Sequence, residues 1–355
     1  MITMGASDGR SAGAPGGRRG GLGVASGNGG AGSARRAGGA AGGSAHRALV
    51  SALTTIADDD RVARAQEAVR EASAELRWHE ALRRRWREAR AEAAIRGAIA
   101  SGAIEGALVS APELRERVAA GGLDRPLSGD PSLDAVAGIW RAGARLAGFM
   151  ADLRGQSRPA EPSPRSLLTS LHRDIAGPLA ASGAIGLDEV AVPRTALPGG
   201  TPSSGGTGSA GEPEALGAAP REGGPGPAPQ GQALAERLDA LLAIIAAPGV
   251  PALVRAAVVH GEMIAMRPFT AGNAALGRLL VRHLITRDGL EPTGVAVPDA
   301  YARRAPGAYS DAAAAYARGD AEGVITWTVW QAEAILVGIT EGAELCRAIQ
   351  AGRAE

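Results

Sequence analysis

The chain is 355 residues long, and 45% of its residues are apolar while only 3% are aromatic. This length and apolar content predict one or two domains with an ordinary hydrophobic core. The formal net charge of +1 excludes the strongly basic character that draws proteins to nucleic acid or to acidic membrane surfaces.

Cysteine usage and hydropathy bear on localisation. The single cysteine, Cys346, cannot build a disulfide framework within one chain and is typical of a reducing cytoplasm. No uninterrupted apolar run in the sequence has the length of a membrane span, and the N-terminus lacks the apolar core of a signal peptide. We therefore expect a cytoplasmic protein with neither a membrane nor a nucleic-acid partner.

Residues 1–47 are glycine, alanine, serine and arginine with almost no large apolar side chains. Such a stretch cannot bury enough surface to offset the entropy lost on ordering, so it is predicted to be a disordered tail. Its arginine pairs could also suggest an RNA-binding tail, but no aromatic residue is interleaved with them.

The region 48–158 has the pattern of a helical unit. The acidic run 58–60 offers an N-cap and an acidic first turn to a helix whose apolar positions include Val69 and Leu76. A second amphipathic helix is predicted from Ser132 to Leu153.

Between these two helices lies the string Ser-Gly-Ala-Ile-Glu-Gly, residues 101–106. Ser101 and Glu105 are four residues apart and therefore share one helix face. Gly106 is suited to stop the helix. From the residues alone, this string indicates the end of a helix.

Residues 159–340 form the second predicted helical region. His172 is predicted to be a packed structural residue, and the weak alternation from Ile185 to Val192 favours a short strand. The Pro/Gly/Ser-rich stretch 195–231 predicts a flexible insert. Residues 341–355 are predicted to be the end of the C-terminal helix.

One stretch, His260 to Arg282, joins two helical patterns through a tight loop. Gly272 and Asn273 tolerate positive φ, so the loop can turn its amides toward one point where the next helix begins. A helix N-terminus with free N–H groups is suited to bind a phosphate.

This stretch resembles the signature of the Fic (Fido) family, His-Pro-Phe-x-Asp/Glu-Gly-Asn-Gly-Arg-x-x-Arg, which another histidine usually precedes by seven residues. The resemblance implies a mainly α fold with a Fic/Fido helical core over 159–340 and a short β-hairpin flap. The residues that carry the resemblance are His260, Pro268, Phe269, Gly272, Asn273, Gly277 and Arg278.

The signature is degenerate at the positions that carry chemistry. The family's general base is a histidine, and Arg267 takes its place; an arginine stays protonated and cannot accept a proton. The family's acidic residue holds magnesium, and Ala271 takes its place; a methyl group cannot bind a hard cation. Ala274 and Ala275 replace a glycine and the first motif arginine. His260 is a weak candidate for a substitute base, with a structural role preferred.

The string at 101–106 resembles the family's inhibitory motif, Ser/Thr-x-x-x-Glu-Gly/Asn, on a helix before the core. In that family the glutamate reaches the last motif arginine and blocks the reactive pose of the γ-phosphate. The resemblance therefore implies that Ser101, Glu105 and Gly106 form an inhibitory helix end and that Glu105 pairs with Arg278.

Three functions follow as hypotheses. The first is a pseudo-adenylyltransferase that binds a nucleotide, with ATP the candidate and magnesium disfavoured, and Pro268 and Phe269 as structural residues. The second is an active enzyme that transfers AMP or phosphate to a protein hydroxyl by an altered mechanism. The third is a non-enzymatic module that binds protein partners, with a homodimer as one form. The candidate nucleotide-binding residues are Gly272, Asn273, Gly277 and Arg278.

Overall fold

The described residues of this computed structural model are 47–121, 127–154, 159–196, 226–247 and 249–353. They contain thirteen α-helices and no β-strand, so the prediction of a mainly α fold is confirmed. The predicted tail, except for Arg47, and most of the predicted insert lie outside these ranges.

Most of the helices follow one another with short connections, but a long segment that includes two 3₁₀ helices separates Ala181 from Gly231. The helices are α1 Arg47–Ala57, α2 Asp60–Arg77, α3 Glu80–Arg84, α4 Trp86–Ile104, α5 Ala111–Ala119, α6 Pro131–Ala147, α7 Pro164–Ala181, α8 Gly231–Ala246, α9 Ala252–Met266, α10 Asn273–Arg287, α11 Asp299–Arg304, α12 Pro306–Ala317 and α13 Ala321–Gln350.

Local capping explains where several of these helices begin. The carboxylate of Asp59 accepts a hydrogen bond from the Arg61 amide at the start of α2. Ser110 and Glu113 form a reciprocal capping box at the start of α5. Each cap satisfies amides that the first helical turn leaves without a partner. The acidic cap predicted for α2 is therefore present.

Helix α10 lies at the centre of the core. Thirteen of its fifteen residues are buried, and α9 and α6 pack on it together with α7 and α4. A helix that is buried on all sides must be built mainly from apolar or paired side chains. Leu276, Leu280 and Leu284 supply apolar contacts, whereas two buried arginines of α10 need partners.

Helix α13 spans 30 residues and passes along the core. It alone among the described helices is long and apolar enough to cross a membrane, and 61% of that apolar window is buried inside the protein. Gly338 lets α13 approach the backbone of Val297 and Pro298, since a Cβ there would lie 2.6 Å from the Pro298 nitrogen. These contacts are those of a core helix.

The segment 185–192 differs from the predicted strand. It contains the 3₁₀ helix Leu187–Glu189, and Ala191 has φ of 62°. The Glu189 carboxylate accepts the amide N–H of Gly186 at 2.7 Å, while the Ala191 amide donates to a histidine side chain at 2.8 Å. Because these amides are used locally, they are not available to a strand ladder.

Candidate functional site

The site is built around the connection from α9 to α10. Helix α9 ends at Met266, and Arg267 takes the left-handed conformation with φ of 44°. Gly272 is also left-handed, with φ of 71°, and a Cβ on it would lie 2.8 Å from Ile175. Glycine therefore fits this position for both conformational and steric reasons.

Asn273 fixes the shape of the loop. Its side chain accepts a hydrogen bond from the Phe269 amide and donates one to the Phe269 carbonyl, both at 2.9 Å. Phe269 is almost fully buried and stacks on the His172 ring with a centroid distance of 3.9 Å. Asn273 is predicted to bind a nucleotide. In the structure its side-chain amide makes hydrogen bonds within the loop itself.

His172 is buried and neutral beneath the loop. Its Nδ1 accepts a hydrogen bond from the Ala191 amide at 2.8 Å, so the proton lies on Nε2, which donates to the Ala271 carbonyl at 3.1 Å. Burial lowers the pKa of His172 to about 4. His172 therefore has the packed structural environment that the sequence favours.

Arg194 ties a second segment to the C-terminus of α9. Its side chain donates to the carbonyls of Arg267 at 2.7 Å and Met266 at 2.9 Å, and its amide donates to the Pro268 carbonyl at 2.8 Å. A guanidinium stabilises helix-end carbonyls in this way. Sequence reasoning missed Arg194, because it lies at the edge of a low-complexity stretch and its partners are backbone atoms.

Arg267 lies where the resemblance to the Fic signature places the family's general-base histidine. Its side chain is half-buried and donates to the Gly226 carbonyl at 2.6 Å. Burial lowers the pKa of Arg267 from its usual value, but a guanidinium remains a donor without acceptor capacity. The Arg267 side chain therefore offers no proton-accepting atom at this position.

His260 lies inside an aromatic cluster rather than at the loop. Its Nδ1 lies 2.8 Å from Gln331 Oε1 and its Nε2 lies 3.1 Å from the Tyr309 hydroxyl, while its ring is 5.0 Å from that of Trp327. Burial lowers the pKa of His260 to about 3. Both ring nitrogens are engaged, which gives His260 a structural environment and leaves no free nitrogen to act as a base.

Gly277 serves the packing of α10 on α9. A Cβ on Gly277 would lie 2.8 Å from His260 Cδ2 and 3.1 Å from Met263 Cβ. The glycine therefore permits a close approach between the two helices. This contact gives Gly277 a role in helix packing; its predicted role in nucleotide binding stays a prediction.

Replacing Gly277 with alanine is expected to destabilise the protein by about 1–3 kcal/mol, because the added methyl overpacks the α9–α10 contact. Gly143→Ala is the matched control: its Cβ would lie at an ordinary 3.6 Å from Leu279, and alanine favours a helix. Urea unfolding of both variants measures the difference. Equal stability of the two variants would show that the contact at Gly277 is not tight.

Arg278 is a buried cation that makes several hydrogen bonds within the site. Its side chain is only 4% exposed. The guanidinium donates to Glu105 Oε1 at 2.5 Å, to Ser101 Oγ at 2.9 Å and to the Tyr309 hydroxyl at 3.3 Å. The structure thus brings together the two sequence strings 101–106 and 267–278, and the pairing of Glu105 with Arg278 is present.

Gly106 and Ser101 place Glu105 where it meets Arg278. Helix α4 ends at Ile104, Glu105 is its C-cap, and Gly106 has φ of 88°. This left-handed residue ends the helix and turns the chain away. The last turn of α4 thereby presents its hydroxyl and its carboxylate to the same guanidinium.

Asp299, at the start of α11, is a second carboxylate on Arg278. Its Oδ1 lies 3.3 Å from Arg278 Nε, and the Ser101 hydroxyl also bonds to it. Burial raises the pKa of Asp299, and the neighbouring arginines oppose that rise. Burial by itself would lower the pKa of Arg278, but the nearby carboxylates raise it above its usual value. Sequence reasoning missed Asp299, because an acidic residue in a first helical turn is common.

Two features define the architecture. They are the helix-loop-helix with its left-handed glycine and the preceding helix that ends on the buried arginine. The chain has the Fic/Fido fold. Among solved structures it is similar to a Fic family protein from Desulfovibrio desulfuricans G20, with a TM-score of 0.54 and 18% identity over 79% of this chain and 74% of that one. It is also similar to Fic-1 from C. elegans, with a TM-score of 0.53 and 18% identity over 81% and 73% of the respective chains. No protein-family model and no curated protein matches the chain.

Proposed function

We propose that this chain is a pseudo-adenylyltransferase: a Fic-fold protein that binds the phosphate of a nucleotide and does not transfer it. The observation that carries the proposal is the buried contact between Arg278 and Glu105, at 2.5 Å. The last arginine of the motif is kept, and a carboxylate occupies its donors. A nucleotide phosphate reaches Arg278 when Glu105 leaves.

The loop itself supports anion binding in this proposal. Helix α10 has fifteen residues, and its N-cap, Gly272, provides no side-chain cap for the first amides. These amides and the positive end of the helix dipole attract a phosphate. Gly272 supplies the turn, Asn273 holds it, and Arg278 supplies the charge. The resemblance to Fic proteins makes ATP the candidate nucleotide.

Transfer chemistry has no support in the site. Arg267 cannot act as a base, and the ring nitrogens of His260 are engaged within the core. Losing a general base costs about two to four orders of magnitude in rate. Magnesium does not fit either, since Ala271 offers a methyl group and the Asn273 amide oxygen is bonded to the Phe269 amide. The described residues contain no cluster of three metal-ligating side chains.

The experiment is calorimetric titration of ATP, with and without magnesium, into the wild-type protein and Glu105→Gly. The wild type is expected to bind weakly, and Glu105→Gly about ten- to a hundredfold more tightly, because a charged hydrogen bond of about 1.5–3 kcal/mol no longer competes. Magnesium is expected to change neither affinity by much.

Adding Arg278→Ala to Glu105→Gly is expected to remove the gain. Absence of ATP binding in Glu105→Gly would contradict the proposal and leave the scaffold as a module for cytoplasmic protein partners. Retained binding in the double variant would place the nucleotide elsewhere in the protein. Appearance of AMP or phosphate adducts on partner proteins would instead support the active alternative.

A further inference from the structure

A second buried arginine lies one helical turn beyond Arg278. Arg282 is four residues further along α10 and therefore on the same face. It is 6% exposed, and its Nη2 donates to the Gly294 carbonyl at 2.8 Å. Within the part of the chain that the structure describes, its Nε has no hydrogen-bond partner.

Asp299 lies between the two arginines. Its Oδ1 is 3.3 Å from Arg278 Nε. Its Oδ2 and Arg282 Nη1 lie 4.0 and 3.9 Å from the place that a Cβ would take on Gly97. Ser101, Arg278, Arg282 and Asp299 also line one small cavity beside α4. Arg282 and Asp299 thus line the same small cavity, whose other lining residues are mostly apolar or glycine.

The charges of this space balance in the closed state. Two guanidiniums, Arg278 and Arg282, face the carboxylates of Glu105 and Asp299, and all four groups are largely buried. A further buried pair of opposite charge, Arg90 and Glu291, lies beside Arg282 and leaves this balance unchanged. Removing one carboxylate leaves a net charge of +1, and removing both leaves +2. A buried cation without a partner is costly, and a phosphate offers several acceptor oxygens that can bond to two guanidiniums.

We propose that Arg278 and Arg282 together form a two-arginine site for a phosphate group, with Asp299 as a built-in carboxylate that takes the phosphate's place in the closed state. This inference rests on the proposed function, because Arg278 is shared. It adds Arg282 as the second binding arginine. In this proposal two carboxylates must move away from the arginines before a phosphate binds. Asp299 is the inner one, and Glu105, at the end of α4, is the outer one.

The test is titration of inorganic pyrophosphate and of ATP into variants of the full chain. Glu105→Gly with Asp299→Asn is expected to bind both about tenfold more tightly than Glu105→Gly alone. Adding Arg282→Gln is expected to reverse that gain. The matched control is Arg255→Gln in the same double variant: Arg255 is also buried, but it pairs with Asp288 away from the site.

Gly97→Ala provides a second variant that alters no charge. Its methyl would fit at ordinary contact distance and narrows the space between Arg282 and Asp299. It is expected to weaken pyrophosphate binding by the double variant severalfold while the protein stays folded, as thermal unfolding will show. Equal effects of Arg282→Gln and Arg255→Gln would overturn the role of Arg282. A double variant no tighter than Glu105→Gly would overturn the role of Asp299.

The outcomes separate the two proposals. If Glu105→Gly binds phosphate and the changes at Arg282 and Asp299 have no effect, the nucleotide-binding function stands and the two-arginine site is ruled out. Absence of phosphate binding in every variant removes both.

Discussion

Arg278→Met is expected to lower the free energy of unfolding by about 3–5 kcal/mol, the usual cost of removing one partner from a buried ion pair. The reason is that the carboxylates of Glu105 and Asp299 would be left buried with a donor missing. They lie 2.5 and 3.3 Å from the guanidinium, whose side chain is 4% exposed. Urea unfolding at neutral pH measures the change.

Two comparisons identify the cause of that loss. Neutralising the carboxylates together with the arginine, in Arg278→Met with Glu105→Gln and Asp299→Asn, is expected to recover most of the stability. Arg165→Met is the matched surface control, since its pair with Asp239 is exposed and is expected to contribute less than about 1 kcal/mol. If Arg278→Met cost no more than Arg165→Met, the buried cluster would not stabilise the fold.

Short sequence motifs predicted much of the candidate site. A left-handed glycine before a helix, a helix that stops at Gly106, and a serine and a glutamate four residues apart are short-range features. Their meeting in space, Ser101 and Glu105 on Arg278, is a contact over more than 170 residues. Periodicity and spacing do not supply such a contact; the resemblance to the Fic signature does.

Partners that are backbone atoms or common residue types could not be found in the same way. Arg194 binds the carbonyls of Met266 and Arg267, which any residues at those positions would present. Asp299 looks like an ordinary first-turn acid. Gly277 could be taken for part of a phosphate loop, whereas its function in the structure is to let His260 pack against α10.

Acidification is expected to cost the protein about 3 kcal/mol of stability between pH 6.5 and 4 through His172. The pKa of this buried ring is lowered from 6.5 to about 4 by burial. The unfolded chain therefore takes up the proton first as the pH falls, and each unit of difference is worth about 1.4 kcal/mol. This stability is fully present above pH 6.5 and is lost progressively down to pH 4.

The structural consequence falls on the chain just after the 3₁₀ helix. A protonated ring has no acceptor at Nδ1 for the Ala191 amide, so that hydrogen bond is lost, while Nε2 still donates to the Ala271 carbonyl. His172→Phe keeps a ring against Phe269 but does not titrate. This variant is expected to be less stable than the wild type at pH 7.5 and to lose less stability on going to pH 4.5. Other groups with shifted pKa values remain in both proteins, among them His260 with a pKa lowered to about 3 and His79 with a lowered pKa. Parallel profiles for the two proteins would therefore mean that His172 does not carry the effect.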